Sequence, residues 1–178
     1  MEALNVVRVK LVREFQLASL GKIESPTDAV KIAADYLSDF SQELFGICCM
    51  SSKGEVVNLA ILGQGTVNTS LVDLRSVFQA IILSNAASVI CLHNHPSGDC
   101  RPSKEDYEVT QKIKTVCEIL GYTFLDHIIT GGEQYYSFRE EKKLKDLQQL
   151  SFEKLLDLCC REQPEMTMKE NDTIDFEL

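Results

Sequence analysis

The chain has 178 residues, 44% of them hydrophobic, with nine glycines and four prolines, enough apolar material to bury the core of one globular domain. No stretch approaches the roughly 18 to 20 unbroken apolar residues of a membrane span, and the start, MEALNVVRVKLVREF, lacks the pattern of a secretory signal, so a cytoplasmic protein without a membrane partner is expected. A net charge of -9 disfavours nucleic acid as a partner, because non-specific binding rests on Lys and Arg neutralising phosphates.

Residues 4–12 (LNVVRVKLV) are rich in β-branched side chains and suit a strand or arm within an N-terminal segment, 1–25. Ser25-Pro26-Thr27-Asp28 reads as an N-cap, a proline at the first helical position and an acidic first turn, which predicts a helix to about Phe40. Apolar runs at 44–51 and 55–62, with Lys53-Gly54 between them, predict a hairpin. Asp73 opens a helical pattern that sets Leu74, Val77, Phe78, Ile81 and Ile82 on one face. The continuously apolar run 87–92 (ASVICL) predicts a central strand buried on both faces. A loop holding Pro96, Gly98 and Pro102 leads into an amphipathic helix over 103–120, then strands near 122–129 and 134–138, and a last helix beginning near 140. Hairpins mixed with helices define an α+β (α/β-like) class, a single sheet with helices packed against it.

The last helix, placed over 141–164, carries Leu144, Leu147, Leu150, Phe152, Leu155, Leu156 and Leu158, a surface for its own domain or for a partner. Residues 165–178 hold Glu165, Glu170, Asp172, Asp175 and Glu177 against only Lys169 and read as a disordered acidic tail. Seven cysteines, an odd number without a Cys-x-x-Cys pair, read as reduced, mainly buried thiols.

The chemistry concentrates in His93-Asn94-His95-Pro96-Ser97-Gly98-Asp99-Cys100-Arg101-Pro102-Ser103-Lys104-Glu105-Asp106. Two histidines two apart at a strand end project to the same side and can share one ion. Asp106, in the first turn of the next helix, offers a third ligand. Two imidazoles and a carboxylate, with a fourth position left for water, form the ligand set of a catalytic rather than a structural zinc site. Hydrolysis also needs a proton carrier, for which Glu43 is the candidate, and Ser103 could aid an oxyanion. A plainer account competes: Ser103 to Asp106 also matches a helix start, with Ser103 as N-cap and Asp106 favourable to the helix dipole.

The combination is more specific than its parts. Glu43, His93-x-His95, Ser103 and Asp106 match the JAMM (MPN+) metalloprotease motif. The run from Gly65-Thr66-Val67-Asn68 through His93-Asn94-His95-Pro96-Ser97-Gly98-Asp99, Pro102-Ser103 and Asp106 to Leu125-Asp126-His127 resembles the RadC family, over about residues 26–140. The resemblance implies a JAB/MPN fold, a mixed sheet flanked by helices with a layout similar to the cytidine deaminases. It further implies zinc on His93, His95 and Asp106, Glu43 acting on the attacking water, and Ser103 assisting the oxyanion. Longer RadC proteins carry an N-terminal helix-hairpin-helix segment, which this sequence does not include, so the DNA-linked role is weakened.

Asp126-His127 reads either as a pair that orients a ligand or as a satisfied polar pair at a sheet edge. Asp99 and Cys100 are sufficiently explained by a turn, Cys91 by a buried strand, and Asn94 and Ser97 by hydrogen bonds holding the loop. The leading expectation is a zinc metallopeptidase or isopeptidase acting on a peptide or protein substrate. The alternative is a DNA repair-associated binding or nuclease-type protein. Around the ligands Arg101 and Lys104 are opposed by Asp99, Glu105 and Glu108, which favours peptide chemistry. A binding module with a structural metal is a third possibility, which the complete residue set opposes.

Overall fold

The structure, a computed structural model of the chain, describes residues 10–12, 21–37, 40–65 and 72–146. Ser25 and Asp28 start helix α1 (Pro26–Leu37) by capping each other. Asp28 N donates to Ser25 Oγ at 3.3 Å, and Ser25 N and Oγ donate to the Asp28 carboxylate at 3.0 and 2.9 Å. Strands β1 (Glu43–Met50) and β2 (Val56–Gly65) form the expected hairpin. Asp73 caps α2 (Leu74–Leu83) by accepting from the amides of Arg75 and Ser76. Then follow β3 (Ser88–Asn94), α3 (Lys104–Leu120), β4 (Thr123–Gly131) and β5 (Gln134–Ser137). Helix α3 ends at Gly121, whose φ of 80° is the left-handed conformation that lets its amide reach back to Cys117 O and Glu118 O.

The five strands lie in the order β2-β1-β3-β4-β5, with β3 and β4 parallel and the other pairs antiparallel. A parallel pair requires a crossover, and α3 supplies it. Alternation in β1 sends Phe45, Ile47 and Cys49 to one face, where Val77 and Ile81 of α2 and Ile113 and Cys117 of α3 cover them. Leu44, Cys48 and Met50 point to the other face, under Ala29, Ala33 and Leu37 of α1. The chain is therefore α+β with helices on both faces of a mixed sheet. β3 is the central strand, and Val89, Ile90, Cys91 and Leu92 are all buried in it, as a continuous apolar run requires.

Three expectations are corrected. Ile82 does not share the buried face of α2. It is 55% exposed, and Ala80 joins Val77 and Ile81 on the stripe that meets the sheet. Residues 141–146 form a turn and irregular chain rather than the start of a helix. Leu144 leaves the turn to pack on the α2–α3 side of the core, Gln111 Nε2 donates to Lys145 O at 3.1 Å, and Asp146 sits 2.9 Å from the buried Lys114 ammonium, which also pairs with Glu118. Residues 10–12 are exposed and form no strand. The rest of the N-terminal arm, Thr66-Val67-Asn68, residues 147–164 of the last helix, and the acidic tail lie outside the described residues.

Cys48, Cys49, Cys91, Cys100 and Cys117 are free thiols, and all but Cys100 are buried. Burial pushes Cys48 and Cys117 up to about 12, so they are packing residues rather than nucleophiles.

Candidate metal centre

Phe45 of β1 lies opposite His93 of β3, where the β1–β3 ladder ends, and this register brings Glu43, two residues earlier in β1, near His93 and His95. Alternation turns Glu43, Phe45 and His93 to the α2–α3 face, and the site forms where β3 ends beside the first turn of α3. The His93 and His95 rings stand 4.7 Å apart and nearly perpendicular. Glu43, His93 and His95 each offer one ligand atom, all within 4.8 Å of one another.

Asp106, from α3, lies against the cluster on the Nδ1 side of the His93 ring. Its Oδ1 is 3.0 Å from His93 Nδ1, and its Oδ2 is 3.5 Å from His95 Nε2. Oδ2 also accepts from Ser103 N at 2.7 Å and Ser103 Oγ at 2.6 Å, while Asp106 N donates to Ser103 Oγ at 3.1 Å. This is a capping box, so the helix start is real. The same carboxylate nevertheless faces both histidines, and cap and site share one side chain. Burial pushes the Asp106 carboxyl up, but the hydrogen bonds with His93, His95 and Ser103 together outweigh it and hold the group well below the usual carboxylate range. The bond to Asp106 raises the pKa of His95 against the opposing effect of burial.

His95 spends Nδ1–H on the carbonyl of Asp99 at 2.7 Å, which fixes the ring with its Nε2 side toward Asp106. Asp99 thus serves through its main chain, while its carboxylate is held by Arg101. The loop is seated on β4: His95 N donates to Thr130 O at 2.7 Å, and Gly131 lies so close beneath that a Cβ there would stand 2.7 Å from Cys100 N and 2.9 Å from the carbonyl carbons of Gly98 and Asp99.

Two observations test whether these residues fit a zinc ion. His93 Nε2 is buried, has no hydrogen-bond partner, and stands 4.0 Å from Glu43 Oε2, a vacant lone pair aimed into the cluster. Ligands about 2.0–2.1 Å from a tetrahedral ion stand about 3.4 Å apart, close to the His95–Asp106 separation of 3.5 Å. Imidazole and carboxylate donors suit zinc. The residues fit.

Behind the cluster, Asp126 does not touch the histidines or Asp106. It accepts from His127 N, Arg139 N and Ser137 Oγ, and so ties β4 to β5 and the turn beyond. His127, fully buried, lies with Nδ1 2.6 Å from Thr110 Oγ1, whose hydroxyl also bonds Asp106 O. Sequence reasoning left Thr110 unmentioned, since a threonine in mid-helix carries no signal of its own. Asn94 does not hold its own loop but reaches to β1, a direction that its position between two histidines facing the other way already implied.

A mixed sheet with this cluster at the end of its central strand defines a JAB-type domain, and the chain belongs to the RadC-like JAB domain family, whose pattern it matches over residues 23–144. It is 43% identical over 120 residues to a UPF0758 protein of Staphylococcus haemolyticus, covering 67% of this chain and 53% of that one. It is 36% identical over 136 residues to a UPF0758 protein of Caldanaerobacter subterraneus, covering 75% and 58%. A UPF0758 protein of Clostridium beijerinckii is 38% identical over 119 residues, covering 67% and 52%. The chain spans about half the length of the curated relatives it matches.

Proposed function

We propose that this chain is a zinc-dependent hydrolase of JAMM type that cleaves a peptide or isopeptide bond, with His93, His95 and Asp106 holding the metal. The observation that carries the reading is the buried, unpartnered Nε2 of His93 facing the Glu43 carboxylate beside His95 and Asp106. Bound zinc supplies a lowered pKa for its water and polarisation of a carbonyl brought beside it.

The chain's own residues supply the rest. The Glu43 side chain is 30% exposed, so its carboxylate meets both the cluster and solvent, where it takes a proton from the attacking water and returns it to the leaving nitrogen. Asp99 O fixes the tautomer of His95. The proton of Ser103 is committed to Asp106, so this hydroxyl holds the carboxylate in place and reaches an oxyanion only by giving up that bond.

Elemental analysis of protein purified without added metal tests the assignment. We expect about one zinc per chain in the wild type and in Glu43→Gln, and none in His95→Ala or Asp106→Ala. Glu43→Gln should lower kcat on peptide and isopeptide substrates by about 100- to 10,000-fold, to a residual rate that can still be measured, while keeping its zinc. A wild type without metal, or a Glu43→Gln variant as active as the wild type, would overturn the reading.

A further inference from the structure

We propose that Asn94 is a positioning residue for Glu43: its carboxamide grips the main chain on either side of that residue and so sets where the carboxylate stands. The inference rests on the reading of Glu43 as proton carrier given above.

Strand alternation turns Asn94 away from the face that His93 and His95 share, and it is buried, with 4% exposure. Its Oδ1 accepts from Leu44 N at 2.6 Å, a buried bond between residues 50 apart in sequence. Its Nδ2 donates to Gln42 O at 3.1 Å and lies 3.5 Å from Phe40 O. Leu44 N–H and Gln42 C=O are the main-chain groups that flank Glu43. The ladder between β1 and β3 ends at the Phe45–His93 pair, and His95 N is already committed to Thr130 O of β4. Past that pair, the Asn94 side chain takes the place of the missing rungs.

The residue type suits the task, because a carboxamide presents one acceptor and two donors in a plane. Aspartate offers no donor and alanine offers neither group. The middle residue of His-Asn-His thereby couples the strand that carries the histidines to the strand that carries the proton carrier. Proton transfer needs heavy atoms about 2.6–3.2 Å apart, so a carboxylate on a loosened strand start spends little time in range.

The test uses the full chain as wild type, Asn94→Ala, Asn94→Asp, Glu43→Gln and the double variant Asn94→Ala/Glu43→Gln. A displacement of about 1 Å costs about 100-fold, so Asn94→Ala should lose about that in kcat while keeping its zinc and a KM within about threefold. In the Glu43→Gln background the same change should cost less than about twofold, because the carboxylate it positions is gone. Amide exchange by NMR reads the grip without any substrate: Leu44 N–H should exchange at least about 10-fold faster in Asn94→Ala and stay protected in Asn94→Asp, which keeps an acceptor oxygen. Should Asn94→Ala fail to fold, Asn94→Asp carries the test, with protection at Leu44 and a smaller loss of kcat expected. Equal losses in both backgrounds, or a Leu44 amide that stays protected in Asn94→Ala, would overturn the proposal. A wild type without zinc would instead sink the hydrolase reading itself, so the two failures are distinguishable.

Discussion

His127 lies in the core with its ring parallel to those of His93 and Phe138 and its Nε2 buried without a partner. Burial, reinforced by the neighbouring His93, pushes its pKa from the ordinary 6.5 to about 3. Above pH 6.5 the group is neutral whether the chain is folded or not, and it costs nothing. Between 6.5 and about 3 the unfolded chain takes up a proton that the folded chain refuses, so stability falls as pH falls. At pH 5 this residue alone removes about 2 kcal/mol. His127→Phe, which keeps the ring stack, should therefore flatten the loss of stability of the metal-free protein between pH 7 and 5, as measured by urea unfolding. An unaltered pH slope would mean that His127 titrates near its ordinary value.

At the scale of elements, the ligand loop depends on how closely β4 can approach it. Gly131→Ala would drive a methyl group into the main chain of residues 98–100, and backbone yields less readily than side chains. Overpacking of this kind costs about 1–3 kcal/mol. The strain falls on the loop whose Asp99 carbonyl orients His95, so zinc affinity should drop by about 10-fold or more, read by competition with a chromophoric chelator. Full affinity in a variant of unchanged stability would show that the loop has room to shift.

The same scale separates what could be read in the sequence from what could not. The hairpin, the central strand and the helix from Ser103 follow from apolar runs, capping residues and turn chemistry, all local signals. The pairing of His93 with His95 also follows from local geometry. Glu43 has no such signature: the chemistry's need for a proton carrier and the family resemblance named it, but its place beside the histidines depends on a register set between strands some fifty residues apart. Ile82 was misjudged for a related reason, since periodicity gives a face to each residue but not the neighbour that covers it; Leu144 packs on its own domain as expected, though from irregular chain rather than a helix. Asp106 satisfied two readings at once, and sequence alone could not say that both held.

For the whole molecule, charge bears on partners. Arg101, near the ligands, is engaged by Asp99, and Lys104 lies 3.6 Å from Glu108, so basic side chains beside the site already have acidic company. A net charge of -9 is in keeping with the peptide-like substrate proposed above. The contacts that build the site also belong to this scale, because β1, β3 and α3 must be docked before Glu43 and Asp106 come near the histidines.

That long-range docking sets when in folding the metal can act. An unfolded chain offers an ion little more than the local His93-x-His95 pair, and the remaining groups arrive only when β1 and α3 dock against β3. Zinc should therefore leave the refolding rate nearly unchanged and slow unfolding, appearing as a shift in one limb of the chevron and making the metal a lock on the finished fold rather than a nucleus for it. Stopped-flow refolding and unfolding with and without zinc would check this, and a refolding limb accelerated by the metal would place the site's assembly early instead.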